Sequence, residues 1–257
     1  MSSLPSLQTN TIVKLPAELT AAPGTCQLIT EDREHAVAEA QHELKIRLLN
    51  QQNLLAPVNM LIHQRYAWRG YQTNGIKQTQ HLITLQATQA EHTVGTISIR
   101  FDSAQGLQLD QLFKTEIDQM RQAGRQLCEF TKLAISGDNQ SRQLTGALFH
   151  LACICAYRIN SCTDICIEVN PRHVSFYKRM LDFHQLSEAR NNPAIQAPSV
   201  LMAIDLAHCF SLIEQFAGKP ELAGKLRSFY PYFFAPEQEH ELTQRLHSLL
   251  LQQDYLV

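Results

Sequence analysis

The stretch from Ile165 to Phe183 constrains the fold of this chain more than any other. Ile165-Cys166-Ile167-Glu168-Val169 reads as a strand that stops at Asn170-Pro171, and apolar residues then recur at Val174, Tyr177, Met180 and Leu181. Proline suits the first turn of a helix and cannot continue a central sheet ladder, so a strand over 163–169 hands over directly to an amphipathic helix over 172–181. A helix that starts at a strand end directs its amides at a ligand beyond the sheet edge, where open α/β sheets bind.

The same periodicities order the rest of the chain. Residues 1–32 are rich in Ser, Thr, Pro and Gln and read as an extended lead-in. Val37, Leu44 and Leu48 predict a helix between Glu34 and Leu55, and Pro57 opens a second one through Trp68 that Gly70 ends. Strands follow over His81 to Thr88 and Val94 to Asp102, the latter alternating Ile97, Ile99 and Phe101 with Thr96, Ser98 and Arg100. Leu109, Leu112, Phe113, Ile117 and Met120 form a helical stripe. A strand over 126–135, a helix over 142–158, and the strand and helix already described come next. Strands over 185–189 and 200–205 follow, with Pro193 and Pro198 as breakers between them. After Leu206 come a helix to about Phe216, the aromatic run Phe229-Tyr230-Pro231-Tyr232-Phe233-Phe234, and a helix using Leu242, Leu246, Leu249 and Leu250. No internal repeat is visible.

Composition narrows the functional classes. A chain of 257 residues can bury a full core, and one domain with terminal additions is expected rather than two equal domains. With 22 basic and 24 acidic residues the net charge of -2 gives no bulk argument for nucleic acid, so a charged partner must meet a local patch. No apolar run near membrane-spanning length and no secretory leader pattern is present, which predicts a cytoplasmic protein. The seven cysteines include Cys153, Cys155, Cys162 and Cys166 in predicted core elements, a distribution expected of reduced thiols. Their spacings lack the paired-knuckle form of zinc sites, and no metal is expected.

The strand-Asn170-Pro171-helix unit, with Tyr177 on the helix and Asp182-Phe183 closing it, resembles the last such unit of the GNAT acyltransferase superfamily, where the closing pair is usually Gly-Phe. Gly124 to Ile135, following the helix over Leu109 to Arg121, carries Glu129-Phe130-Thr131-Lys132-Leu133-Ala134. Together the two are similar to the N-acyl amino acid synthases of the FeeM-like group and, more distantly, to the acyl-homoserine lactone synthases, over roughly Pro57 to Leu206. The resemblance implies an α/β (α+β) fold: a GNAT-like mixed central sheet flanked by helices. It would occupy 33–206, after the lead-in over 1–32, with 207–257 as a helical C-terminal extension packed on the same domain.

What the resemblance implies chemically is attack of an amine on a thioester. The amine must lose a proton, the oxyanion must be stabilised, and the departing thiolate must gain a proton. Glu129 stands where the related synthases carry an acid; partly desolvated, it would serve as base or position the amine, and its alternative is a structural acid paired with Lys or Arg. Tyr177 would protonate the thiolate, although its spacing is equally that of a core position. Thr131, Lys132, Asn170, Arg172 and His173 are the remaining candidates on the two motifs for binding substrate or acyl donor.

Superfamily members cradle coenzyme A pyrophosphate on a Gln/Arg-x-x-Gly-x-Gly/Ala turn, to which Arg142 through Ala147 corresponds, with Thr145 in the first Gly position and Gly146 retained. A Cβ there suits a donor carried on the 4'-phosphopantetheine of acyl carrier protein better than coenzyme A; the alternative for Gly146 is helix packing. No permanently bound cofactor is implied. Acyl carrier protein is acidic, so Arg172, Lys178 and Arg179, with Arg142 and Lys132 near the same edge, would form its docking face. The aromatic run would either line an acyl tunnel or pack the C-terminal extension. The expected activity is N-acylation of an amino acid with a long acyl chain. Two alternatives stand beside it: an acyl-homoserine lactone synthase, and an inactive acyl-binding or regulatory protein that keeps the fold.

Overall fold

The computed structural model describes residues 10–15, 43–49, 55–77, 79–136 and 142–252. The sheet grows from one uninterrupted antiparallel run. β1 (Thr11–Leu15) pairs β2 (Leu44–Leu48), β2 pairs β3 (Leu82–Gln89), β3 pairs β4 (His92–Phe101), and β4 pairs β5 (Leu127–Ile135). A parallel return to the same sheet needs a crossover connection, and here it is made by α3 (Arg142–Cys153), which leads to β6 (Asp164–Val169) beside β5. β9 (Ala197–Asp205) closes antiparallel on β6 and carries the short β7 (His184–Gln185) and β8 (Arg190–Asn192). Among the described residues this makes a nine-stranded mixed sheet in the order β1-β2-β3-β4-β5-β6-β9-β7, flanked by helices.

The pleat divides the sheet into two faces. Residues directly opposite one another share a face, so Ile83, Ile97, Ile99, Cys128, Phe130, Ile165 and Ile167 line one side and join the main core. Against that side pack α3, α4 (Val174–Leu181) and α5 (Leu206–Phe216), and the last helix, α7 (Pro236–Leu251), covers α3 and its π-helical continuation Ile154–Ile159; α6 is a single turn, Ala223–Leu226. Burying each of Leu242, Leu246, Leu249 and Leu250 contributes about 1.5–3 kcal/mol, which fixes α7 on the core. The aromatic run lies in the same core: Phe229, Tyr230, Phe233 and Phe234 are buried, so the run packs the C-terminal helices.

The opposite face is covered by α1 (Leu55–Ala67), through Val58, Leu61 and Ile62, and by α2 (Asp110–Gln122), through Phe113 and Ile117. Here the sheet is partly polar. Thr84, Gln86, Thr96, Ser98 and Glu129 are all buried on it, with a 2.8 Å bond between the Thr84 and Ser98 hydroxyls.

Four sequence expectations are corrected. The helix expected from Glu34 to Leu55 is a strand where the structure describes it: Leu44, Ile46 and Leu48 are buried while Lys45 and Arg47 point the other way, and 34–42 and 50–54 lie outside the described residues. Pro198, expected to break the chain between strands, lies within β9, exposed and opposite Asn191. The strand expected over 185–189 shrinks to β7 and an unexpected β8. Leu206 to Phe216 is helical over the expected span, started by Asp205, whose side chain accepts from His208 N. Thr11–Leu15, inside the expected lead-in, is an edge strand of the sheet. Among the described residues no helix is long and apolar enough to cross a membrane, and no cluster of three or more His, Cys, Asp or Glu could hold a metal ion.

Candidate active site

The site forms where the sheet splits. β5 and β6 are paired only from Leu127↔Asp164 to Glu129↔Cys166. Beyond Glu129 the two strands part, because β5 carries a bulge: Thr131 is opposite Ser98 and Ala134 opposite Thr96, so Lys132 and Leu133 together face Ile97. Lys132 takes a left-handed backbone, φ +54°, to make this bend. A bulge bends its strand and increases the local twist, which turns the last residues of β5 away from β6 and opens a V-shaped cleft at the C-terminal end of β6.

Glu129 stands at the point of the V. It is 4% exposed and accepts a 2.8 Å bond from Gln108 N, the residue that leads into α2. Burial pushes its carboxyl from an ordinary 4.5 up to about 7, against the opposing pull of the Arg100 charge and the amides of Gln108 and Leu109. Such a group exchanges a proton near neutral pH, which a general base requires. Arg100 is directly opposite Glu129 on β4 and shares its face, and Glu168 on β6 adds a negative charge that raises Glu129 further.

Tyr177 enters from α4. Its ring stands edge-on to Phe176 and Phe183, with centroids 5.3 and 5.9 Å away, and burial pushes its hydroxyl up to about 12, so it keeps its proton at neutral pH. Tyr66, at the end of α1, is raised too, first by burial and then by the nearby Tyr177. Lys132 places Nζ 2.9 Å from Thr73 Oγ1 and 5.8 Å from the Tyr66 ring centre, and burial lowers its affinity for the proton. Glu129, Tyr177, Tyr66, Lys132, Arg100 and Glu168 thus gather from several strands and helices around one cleft.

A family model described as N-acyl amino acid synthase FeeM matches residues 57–205, more than half of the chain. The chain belongs to that family. The structure of FeeM, an N-acyl amino acid synthase from uncultured soil microbes, is 24% identical and superposes with a TM-score of 0.59 over 65% of this chain and 93% of that one, which shows the shared fold. An acyl-CoA N-acyltransferase from Pseudomonas aeruginosa (15% identical, TM-score 0.45, 62% of this chain and 98% of that one) and the AHL synthase LasI (11%, 0.45, 63% and 90%) are more distant. No curated protein matches significantly. This N-acyl amino acid synthase family member is therefore an acyltransferase enzyme that shares the mixed-sheet fold of the FeeM structure.

The other expected site residues of this chain divide. Thr131 lies half-buried on the Glu129 face. Asn170 is occupied structurally: its Oδ1 accepts from Arg172 N at 3.2 Å and its Nδ2 donates to Pro198 O at 3.1 Å, tying the end of β6 to β9. Arg172 reaches across the cleft mouth to Arg69 O at 3.5 Å and lies 5.2 Å from the Tyr71 ring centre, while its Nε faces His173 at 3.3 Å. Burial, then Arg172 and Arg69, lower the pKa of His173. Arg142 is exposed at the start of α3. Gly146 takes its packing role: it is the fifth residue of α3, its N–H belongs to the helix ladder, and a Cβ on it would meet Tyr232 Cβ at 2.9 Å. A surface cavity of about 430 Å³ lined by Lys178, Asp182, His184 and His208 sits at the other end of β6 and gathers none of the expected residues except that docking lysine.

Sequence reasoning missed Arg100, Tyr66, Arg65, Arg69 and Glu168. Arg100 alternates with Ile99 and Phe101, a visible polar position, but only strand pairing sets it opposite Glu129. Arg65 and Arg69 flank Trp68, with guanidinium carbons 5.2 and 6.0 Å from the ring centre, and Trp68 is 74% exposed.

Proposed function

We propose that the enzyme moves a long-chain fatty acyl group from acyl carrier protein to the α-amine of an amino acid, giving an N-acyl amino acid. The observation that carries this reading is Glu129, buried where β5 and β6 part with its protonation balanced near pH 7. In the reaction Glu129, directly or through water, takes a proton from the acceptor's ammonium. Once Glu129 has passed that proton to solvent, the freed amine attacks the thioester carbonyl, its nitrogen gives a second proton to Glu129, the tetrahedral oxyanion collapses, the C–S bond breaks, and the Tyr177 hydroxyl gives its proton to the departing thiolate. Proton transfer from Glu129 to solvent and back to the tyrosinate completes the cycle.

The parted strands support this use: β5 beyond Glu129 has backbone groups free of β6, beside which an extended pantetheine arm can lie. The closed contact of Gly146 with Tyr232 favours a carrier-protein donor over a pyrophosphate seated on that glycine. Arg65, Arg69 and Arg172 around Trp68 and Tyr71 offer an acidic carrier protein a basic mouth. The reaction is assigned to the cytoplasm, where carrier protein and amino acids meet.

The test is mass spectrometry of the enzyme with palmitoyl-acyl carrier protein or palmitoyl-coenzyme A and the pooled amino acids. Faster formation of an N-palmitoyl amino acid from the carrier-protein donor is expected. Faster turnover of the coenzyme A donor would overturn the donor assignment, and no product from either would overturn the reaction.

A further inference from the structure

Arg100 is a cation without an assigned anion. Its Nε is enclosed and has no hydrogen-bond partner, and among the described residues its guanidinium makes no ion pair. Three other arginines are held by carboxylates, Arg121 by Asp102, Asp110 and Asp118, Arg125 by Asp164 and Asp205, and Arg190 by Glu116, whereas Arg47 and Arg65 share with Arg100 an enclosed Nε that has no hydrogen-bond partner. Of the three with an unpartnered Nε, Arg100 is the one directly opposite Glu129 on the neighbouring strand. A half-buried guanidinium with no counter-ion costs desolvation free energy, and an anion arriving there recovers it.

The neighbours define which anion fits. Arg100 and Glu129 are direct cross-strand partners on one sheet face, about 4.5–5.5 Å apart at Cα. Glu129 does not neutralise Arg100 through a close ion pair, and Glu168 is engaged by Asn192 Nδ2 at 2.5 Å. Lys132, the other nearby cation, is engaged with Thr73 and the Tyr66 ring. A ligand that presents an ammonium to Glu129 and a carboxylate to Arg100 carries the two groups close together on one end, as an α-amino acid does.

Building on the amine-acylating role proposed above, we propose that Arg100 binds the acceptor's α-carboxylate and thereby makes the enzyme select α-amino acids over amines that lack it. Arg100 is thus a specificity-determining residue, and the pair Arg100 and Glu129 fixes which face of the acceptor's nitrogen meets the thioester.

The test compares acceptors that differ only by the carboxylate: leucine with isopentylamine and phenylalanine with phenethylamine, using wild type, Arg100→Gln and Arg100→Lys. A charge-assisted hydrogen bond of this kind corresponds to about 10–150-fold in affinity. Arg100→Gln is expected to raise KM for the amino acids by that factor and to leave KM for the amines within about threefold, with Arg100→Lys between. Equal losses on both members of each pair, or a wild type that does not distinguish them, would overturn the assignment. If Arg100→Gln does not fold, wild type against Arg100→Lys carries the same comparison. Titration calorimetry of leucine and isopentylamine separates the two readings: carboxylate-dependent binding without turnover upholds Arg100 and sinks the acyl transfer, whereas turnover without carboxylate dependence does the reverse. Neither binding nor turnover of any member sinks both.

Discussion

Replacing Glu129 by Gln should stabilise the protein in alkali while removing its activity. The wild-type carboxyl titrates at 4.5 when unfolded and near 7 when folded, because burial disfavours its charge. Between those values the folded protein holds a proton that the unfolded chain has released. Stability supplied by that proton is complete below 4.5 and is withdrawn as pH rises to 7, the direction opposite to that of a salt-bridged acid. Moving a carboxyl from 4.5 to about 7 corresponds to about 3 kcal/mol, so at pH 8 wild type carries a penalty of that size which glutamine avoids. Glutamine is nearly isosteric, and its Oε1 can still accept from Gln108 N. Urea denaturation of both proteins at pH 5 and pH 8 isolates the effect, since the groups away from Glu129 titrate alike in the two. Glu129→Gln is expected to gain roughly 2–3 kcal/mol on wild type between the two pH values, after allowing for partial ionisation at pH 5. Parallel profiles within about 0.5 kcal/mol would refute the reasoning by showing Glu129 charged in the fold at its ordinary pKa. In the same samples wild-type kcat/KM should rise with pH through about 7, and the variant should be slower by about 10²–10⁴.

Tyr177→Phe keeps the ring contacts with Phe176 and Phe183, so its denaturation midpoint should stay near wild type while kcat falls by about 10²–10⁴; an unchanged kcat would remove Tyr177 from the reaction. Gly146→Ala forces a Cβ to 2.9 Å from Tyr232 Cβ and 3.2 Å from its carbonyl oxygen, and urea denaturation should show a loss of about 1–3 kcal/mol. The double change Arg69→Glu with Arg172→Glu should lower kcat/KM for palmitoyl-acyl carrier protein at low salt by at least about 10-fold and leave palmitoyl-coenzyme A turnover nearly unchanged; equal losses on both donors would count against a docking role.

Local periodicity makes most elements legible in the amino-acid sequence. Leu109 to Met120, Leu206 to Phe216 and the Leu242 to Leu250 stripe each repeat at the helical period, and each helix buries that stripe. The failure at Leu44 and Leu48 has a simple cause: a spacing of four fits one helix face and also one strand face, and only Ile46, between them and equally buried, separates the two readings. Pro198 misled for a related reason. Proline cannot donate to a ladder, but an exposed position near the start of β9 does not require that bond.

The sequence by itself determined most strands and helices from Leu55 onward, the apolar faces that pack them, and the two motifs that carry Glu129 and Tyr177, because these depend on neighbours a few residues away. Tertiary structure alone decided what surrounds them. Whether Glu129 is buried, whether Arg100 stands across from it, and whether Tyr66 comes beside Tyr177 depend on pairings between residues tens of positions apart. The bulge at Lys132 decides where β5 leaves β6, and so where the cleft opens. Glutamate acquires a pKa near 7 only when desolvation outweighs the charges and amides that the fold assembles around it, and that balance exists only once the distant segments have met.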